Sequence, residues 1–267
     1  MARGATVAGP ALAAGVLMTA GCSGSLPPLR GHMEVGRDAY AVFVGGGGAA
    51  GGDLYAVRAE GGPVVPITFS SVGEMRPALS PDGGSIAFLR GASLRDSTPG
   101  SVWAIDLQTG ADREIELAPG AGTPLRVGWA RDGRSVVVAT SAGLYRASPP
   151  PGGVIRPVPP EGRAEAESSL AVLLGEPAFA RVVPCAEPGA LCVRGDTGSP
   201  GLLARDARDA ARWGSDSVAF FVGETVEIRP LGPGRARRLD WENAPSRPRE
   251  MTVFPGRRGQ PEDNAVR

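Results

Sequence analysis

Lysine is absent from this sequence, and histidine occurs once, as His32. All 28 positive residues are therefore arginine, and 28 acidic residues balance them. Nucleic-acid-binding domains carry a basic surplus against the phosphates, so zero net charge argues against a nucleic-acid partner. The surplus of Ala, Gly, Pro and Arg reads as the composition of a GC-rich coding sequence, not as an adaptation to phosphate. A single histidine removes Ser-His-Asp and Cys-His catalysis and the common zinc sites. Without lysine there is no phosphate loop of the Gly-x-x-x-x-Gly-Lys-Ser/Thr type. Aromatic residues make up only 5%. Long helices are excluded as well: 40 glycines and 26 prolines among 267 residues fall every few positions and break them. Yet 42% of the residues are hydrophobic, too many for a disordered chain. What remains is a folded, turn-rich protein.

The first 22 residues have their own character. Arg3 is followed by an uncharged stretch with an apolar centre from Val7 to Met18, then by small residues up to Cys22. This is the layout of a secretory signal peptide. The ending Leu17-Met18-Thr19-Ala20-Gly21-Cys22 resembles a bacterial lipoprotein box; Ala20, Gly21 and Cys22 match it, and Thr19 stands where Leu is commonest. The resemblance implies that residues 1–21 are removed and that Cys22 begins the mature chain and carries lipid. It also implies a place at the cell envelope, facing the periplasm or the exterior. One acyl chain, at ~0.8 kcal/mol per methylene, binds a membrane only marginally; several chains hold. The alternatives are an ordinary cleaved signal and an uncleaved anchor, though an apolar run interrupted by Gly and Pro10 falls short of the ~20 residues a spanning helix needs. Residues 22–37 are then a flexible tether, stiffened at Pro27-Pro28.

The rest of the chain repeats. An apolar–aromatic–x–apolar piece recurs as Leu54-Tyr55-Ala56-Val57, Val102-Trp103-Ala104-Ile105 and Leu144-Tyr145-Arg146-Ala147, with Val226-Glu227-Ile228 as a weaker copy. The second positions, 55, 103, 145 and 227, step by about 42 residues with one copy degenerate near residue 186. Leu191-Cys192-Val193 is the candidate for it. A second piece precedes each copy: an apolar strand, a tight turn and another apolar strand. It is clearest at Arg76 to Phe88 and returns at Val127 to Val138 and at Ala211 to Phe220. In the turn Ser80-Pro81-Asp82-Gly83, Pro81 presets φ, Asp82 can bond its own backbone and Gly83 accepts positive φ. Asp-Gly between apolar runs signals a hairpin. Asp82, Asp132 with Gly133, and Asp216 are accordingly turn formers, not catalysts.

The segment Arg76-Pro77-Ala78-Leu79-Ser80-Pro81-Asp82-Gly83-Gly84-Ser85-Ile86-Ala87-Phe88 resembles the repeat of TolB-like β-propellers, relatives of WD-repeat proteins. Trp129, Asp132, Gly133 and Val136 to Val138 match in the next copy, and Trp213, Ser215, Asp216 and Val218 to Phe220 match in part. The resemblance covers roughly residues 38–255 and implies an all-β propeller of four-stranded blades. It implies a protein partner near the channel mouth. The count that fits is five blades. Blade one takes the segment from Arg247 to Gly256 as its inner strand and so closes the ring; the others span about 75–118, 124–159, 168–206 and 209–241. Closure hides open sheet edges. Six blades are the alternative, although about 51 residues between 159 and 209 are few for two. Residues 256–267 read as a disordered tail.

Candidate chemistry is sparse. Cys185 and Cys192 flank a Glu187-Pro188-Gly189 turn, so they face each other across a hairpin and form a disulfide in an oxidising compartment. A metal pair, the alternative, lacks further ligands. Glycine-rich Gly45 to Gly52 links two strands and is a hairpin loop, because no helix start follows it. The expected inner strands, near 75–80, 126–130, 176–181, 210–213 and 249–254, carry Glu176 and Glu250, with Glu74 just outside. That is no convergent acid pair of the glycosidase kind. Trp103, Trp129, Trp213 and Trp241 are expected in the core or between blades. The sequence thus points to a monomeric, lipid-anchored, non-catalytic β-propeller without cofactor or metal, serving as an interaction platform for an envelope protein. The alternative is a carbohydrate or small-ligand binder, possibly glycosidase-like in its use of the channel mouth.

Overall fold

Short apolar runs set between Gly, Pro and Asp turns become antiparallel strands in the computed structural model, which describes residues 29–46, 52–91, 98–148, 156–170, 182–194 and 201–257. The described strands begin with Tyr40–Gly45 (β1), Asp53–Arg58 (β2), Gly62–Pro63 (β3) and Val65–Pro66 (β4). Glu74–Leu79 (β5), Ser85–Gly91 (β6), Pro99–Asp106 (β7) and Asp112–Ile115 (β8) follow. Then come Pro124–Trp129 (β9), Val136–Thr140 (β10), Gly143–Ala147 (β11) and Arg156–Pro157 (β12). A 3-10 turn at Pro160–Gly162 leads into the helix Arg163–Ser169 (α1). Val182–Pro184 (β13), Leu191–Val193 (β14) and Gly201–Ala204 (β15) come next. They precede Ala207–Trp213 (β16), Ser217–Val222 (β17), Thr225–Pro230 (β18) and Arg237–Arg238 (β19). Trp241–Glu242 (β20) and Arg249–Phe254 (β21) end the chain. Among the described residues no helix is long and apolar enough to cross a membrane.

Consecutive strands pair as meanders: β5 to β8, β9 to β12, β13 to β15 and β16 to β19. The remaining large sheet has the order β21-β1-β2-β4, so the last described strand lies beside the first. A short parallel pair, β20 with β3, adds a second link between chain end and chain start. The first strands of the sheets are neighbours in space: β16 packs on β21, β21 on β5, and β5 on β9. Sheets radiating from a common set of inner strands are the blades of a β-propeller.

The core lies between sheets. In β1 all six residues are buried, and its two faces serve two interfaces. Tyr40, Val42 and Val44 pack with Ile86, Phe88 and Ile105 of the β5–β8 sheet. Ala41 and Phe43 pack with Phe221, Val226 and Ile228 of the β16–β19 sheet. Successive strand side chains point to opposite faces, so a strand covered on both sides reads as continuous apolar sequence. A third cluster joins β5–β8 to β9–β12 through Ala87, Leu89, Trp129 and Val138. A fourth joins β13–β15 to β16–β19 through Val182, Leu203 and Phe220. On its other flank, the β9–β12 sheet offers Ala130 and Val137 to Ala166 and Leu170 from α1 and its end.

Three expectations change here. Residues 29–37, assigned to the tether, are packed: Leu29 and Met33 are buried in the core around β1. Backbone bonds from Met33 to Leu29 and from Asp38 to Glu34 turn the segment over that core. Two apolar side chains spaced four apart gain more by burial than a tether gains in freedom. Residues 22–28 lie outside the described residues. At the other end, Gly256 and Arg257 are not loose tail: the Arg257 N–H donates to the Arg37 carbonyl at 2.8 Å. Gly256 approaches Ala39 so closely that a Cβ would sit 2.8 Å from its nitrogen. Residues 258–267 are outside the description. Lastly, the connection Glu161 to Glu167, which its charges mark as a solvated link with at most one helical turn, is a 3-10 turn plus helix whose Ala166 is buried.

Candidate functional site

The repeat turns sit at one end of the inner strands and are structural. Gly83 N–H donates to Ser80 O at 2.9 Å, and Asp82 Oδ1 accepts from Ser80 Oγ at 2.5 Å and from Gly84 N–H at 2.9 Å. Burial alone would raise the Asp82 carboxyl; those bonds and the charge of Arg257 outweigh it and hold the group below its ordinary value. Asp132 repeats the pattern, accepting from the N–H groups of Arg134 at 2.8 Å and Ser135 at 3.2 Å, with Arg146 at 2.9 Å. Its carboxyl is also held low, the bonds and Arg146 overcoming desolvation. Gly83 and Gly133 both have positive φ, +69° and +65°. The third copy differs. Asp216 lacks the following Gly, and the left-handed position is taken by Gly214, φ +70°. Asp216 still ends the turn, but its carbonyl receives the Leu231 N–H at 2.7 Å.

The opposite end of the inner strands carries an unusual feature. Pairing register slips at the start of β5 between Met75 and Ala78, of β16 between Arg208 and Ala211, and of β21 between Arg249 and Thr252. Each slip is a bulge that sets two residues against one, and the first of the two has a left-handed backbone: Arg76 (φ 53°), Asp209 (φ 52°) and Glu250 (φ 53°). A non-glycine residue in that region costs about 1–3 kcal/mol and persists where the surroundings over-determine it, commonly at functional sites. Bulges also re-aim side chains. Three neighbouring inner strands thus place three charged residues at the same register position around the axis.

These strands are tied to one another. Glu250 Oε2 accepts the Arg76 N–H at 2.5 Å, Leu79 N–H donates to Thr252 Oγ1 at 3.3 Å, and Trp129 Nε1 donates to Ala78 O at 2.9 Å. Arg208 donates to the carbonyls of Pro248 and Gly223, both at 2.5 Å, and lies over the Phe221 ring at 5.4 Å. β9 departs from the pattern. Its slip, between Arg126 and Pro124, leaves Leu125 42% exposed and Arg126 exposed beside it. Phe69, on the approach to β5, is 70% exposed. The mouth at this end therefore mixes charge with isolated apolar side chains.

Beneath the mouth lies a closed ionic cluster. Glu74 is fully buried and pairs with Arg90 at 2.9 Å; Arg90 also reaches Asp112 at 3.4 Å and stacks 4.0 Å over Trp103. Thr68 donates to Glu74 and accepts the Leu54 N–H at 2.8 Å, which ties the first sheet to the second. Burial raises the Glu74 carboxyl, and the bonds from Thr68 and Arg90 cancel only part of that. Every polar group of Glu74 is spent on structure, so it is a bolt between blades.

Sequence reasoning found Glu250 but missed Asp209, because β16 begins at Ala207, earlier than the expected 210. The bulge shifts the alternation that would have marked the strand. By register, Glu250 holds in β21 the bulge position that Arg76 holds in β5. Cys185 and Cys192 form a disulfide, with Cα atoms 5.3 Å apart across the β13–β14 hairpin. Cys22 and Glu176 lie outside the described residues. Trp129 is buried, and Trp103, Trp213 and Trp241 are half-buried against the inter-sheet clusters. Among the described residues no group of three His, Cys, Asp or Glu side chains could hold a metal ion.

No protein-family model matches the chain, and no curated protein matches it. Among solved structures it is similar to TolB from Acinetobacter baumannii, at 14% identity over 80% of this chain and 66% of that one, with a TM-score of 0.41. A chain of a nidogen/laminin complex shares 11% identity over 80% of this chain and 98% of its own, TM-score 0.45. A TolB homologue from Agrobacterium tumefaciens, itself described as a putative TolB, shares 14% identity over 77% and 67%, TM-score 0.33. The chain thus spans about two thirds of the length of the first TolB. The propeller architecture itself rests on the sheets described above.

Proposed function

We propose that this protein is a five-bladed, lipid-anchored and non-catalytic β-propeller that presents its bulged axial mouth to a protein partner at the bacterial envelope. The blade count follows the five large sheets, the first of them completed by β21. The observation that carries the partner reading is the set of equivalent bulges holding Arg76, Asp209 and Glu250 in strained backbone at one register position. Strain kept in three strands at once has a use where those side chains meet something else. Exposed Phe69 and Leu125 nearby supply apolar anchors, and the charges around them supply register, the usual division of labour in a transient interface. The anchor rests on Cys22 and the residues before it.

The test is in-cell cross-linking of the tagged full chain, with mass spectrometry of what is captured. A reproducible envelope protein, lost with Arg76→Glu and with Leu125→Asp but retained with Asp216→Asn on the opposite face, supports the reading. Recovery of the propeller alone, under conditions that capture a known pair, overturns it. Cys22→Ala is expected to release the protein from membranes; continued membrane fractionation removes the anchor from the proposal. The second reading, a carbohydrate or small-ligand site at the mouth, is favoured by one observation: Asp209 and Glu250 occupy equivalent positions on adjacent inner strands. Saturable glycan binding abolished by Asp209→Asn together with Glu250→Gln would replace the partner reading.

A further inference from the structure

A cavity of about 580 Å³ opens between the β9–β12 sheet and α1, away from the axial mouth. That is within the range of small-molecule sites, roughly 300–1,000 Å³. Its floor is apolar: Ala130, Val137, Val158 and Ala166. Its origin is visible in the packing. Where the other described sheet contacts are filled with Phe, Trp and Ile, here a short helix and its end meet the sheet through Ala130, Val137, Ala166 and Leu170, without an aromatic side chain.

Two arginines line the same cavity, Arg146 and Arg156, and they are direct partners in the β11–β12 pair. Like charges opposite each other across a strand pair are destabilising unless each finds a counter-charge. Arg146 has two, Asp132 at 2.9 Å and Glu165 at 3.7 Å. Arg156 has none among the described residues. Glu161 also lines the cavity but makes no ion pair with it among those residues. Among the described residues the Arg156 guanidinium thus has no hydrogen-bond or ion-pair partner, at the rim of an apolar hollow.

We propose that this cavity binds a small organic monocarboxylate with an aryl or alkyl body. The carboxylate takes the two-pronged donor set of Arg156, which matches its geometry. The apolar body lies on Val137, Val158 and Ala166, with its far end directed away from Glu161. The site is separate from the axial mouth, so it stands whether or not the mouth recruits a protein.

The full chain is titrated with 4-phenylbutyrate and with uncharged 4-phenylbutanol, followed by calorimetry. The expected result is saturable one-site binding of the carboxylate, with the alcohol at least about tenfold weaker, since a charge-assisted bidentate contact is lost. Arg156→Gln is expected to bring the carboxylate down to the level of the alcohol. Ser148→Trp, at the exposed rim, is expected to block both probes. Melting curves for both variants establish that each is folded; both positions are exposed, so each is expected to melt like the parent. Absence of saturable binding by the carboxylate overturns the proposal. So does carboxylate binding that Arg156→Gln leaves unchanged, or that Ser148→Trp does not block.

Discussion

Two junctions of this propeller are built in opposite ways. Where the fifth large sheet meets the first, the first and last described strands come together, and the seam is filled with aromatic rings. Phe43 lies 5.9 Å from Phe221 edge-on and 5.1 Å from Trp241, and Tyr55 stacks on Phe43 at 6.1 Å. Within the first sheet the β21–β1 ladder joins the last described strand to the first, and the β20–β3 pair adds a further link between these regions. On the far flank of the third sheet, the described contacts are made by α1 and its end, through Ala130, Val137, Ala166 and Leu170, beside a cavity. The running chain crosses the aromatic seam between β19 and β21, but the β21–β1 ladder that completes the first sheet joins strands far apart in sequence, and burial around Phe43 holds it. The flank at α1 is the loose seam, and the space for a ligand appears there.

The comparison is broken most strongly from the tight side. Phe43→Ala empties a fully buried position in the aromatic seam and is expected to cost about 3–5 kcal/mol in urea unfolding. Leu170→Ala, at the loose seam, is expected at or below the bottom of the ~2–5 kcal/mol range for Leu truncation, because the buried side chains it packs with are only alanine and valine. Equal costs would mean that the two seams do not differ. Arg90→Met comes next. It leaves Glu74 buried without its cation, at a cost of about 3 kcal/mol, whereas removing both charges with Glu74→Gln and Arg90→Met costs less.

Glu74 also gives the seam between the first two sheets a pH signature. Its folded-state value is raised, chiefly by burial. The folded protein therefore binds the proton more tightly than the unfolded chain. That contribution to stability is full below the ordinary carboxylate value, near 4.5, and is lost as pH rises through the raised value. Asp82 and Asp132 act in the other sense: their values are lowered, so they stabilise above about 3.8 and that is lost as pH falls. Glu74→Gln is expected to remove the decline on the rising side and leave the acid limb alone. A profile unchanged by Glu74→Gln would contradict this assignment.

Glycine substitutions sharpen the comparison further. Gly83 and Gly133 occupy the same turn position, so each carries the same left-handed penalty, about 1 kcal/mol for alanine. Only Gly83 faces the closing strand. A Cβ there would lie 2.6 Å from the Phe254 ring, whereas at Gly133 its nearest neighbour is Pro81 at 3.6 Å. Gly83→Ala is thus expected to cost about 1–3 kcal/mol more than Gly133→Ala, the range for overpacking. Thermal midpoints of the two variants measure the difference.

Much of this was legible beforehand, and the pattern of what was not is physical. The Asp-Gly turns and apolar runs marked strands such as Ser85–Gly91 and Ser217–Val222, because turn chemistry and alternation are local. Leu191–Val193 was visible only through spacing, its alternation being too short. The bulges at Arg76, Asp209 and Glu250 were hidden, since a one-residue slip changes register without changing composition. The cluster around Glu74 was hidden as well: its partners Thr68, Arg90 and Asp112 come from different strands and loops. Leu29 and Met33 resembled linker because the turn that buries them has no periodic signature.

The smallest expected effect belongs to the sheet next to the loose seam. Cys185 and Cys192 close a hairpin of separation seven, and on the chain-entropy model so short a loop yields about 2–3 kcal/mol at most. Other contacts already hold the hairpin: Cys185 N–H donates to Ala190 O at 2.9 Å, and Ala207 N–H donates to Gly189 O at 2.7 Å from the adjoining sheet. An exposed two-pronged pair, Arg205 with Glu187 at 2.7 Å and 2.8 Å, adds little. The double variant Cys185→Ser, Cys192→Ser is therefore expected to lose less than Phe43→Ala. Its loss is expected to appear first as faster amide exchange in β13 and β14, ahead of global unfolding. If the whole ring unfolds together with these strands, the fourth sheet is as firmly coupled as the first, and the contrast between the two seams does not hold.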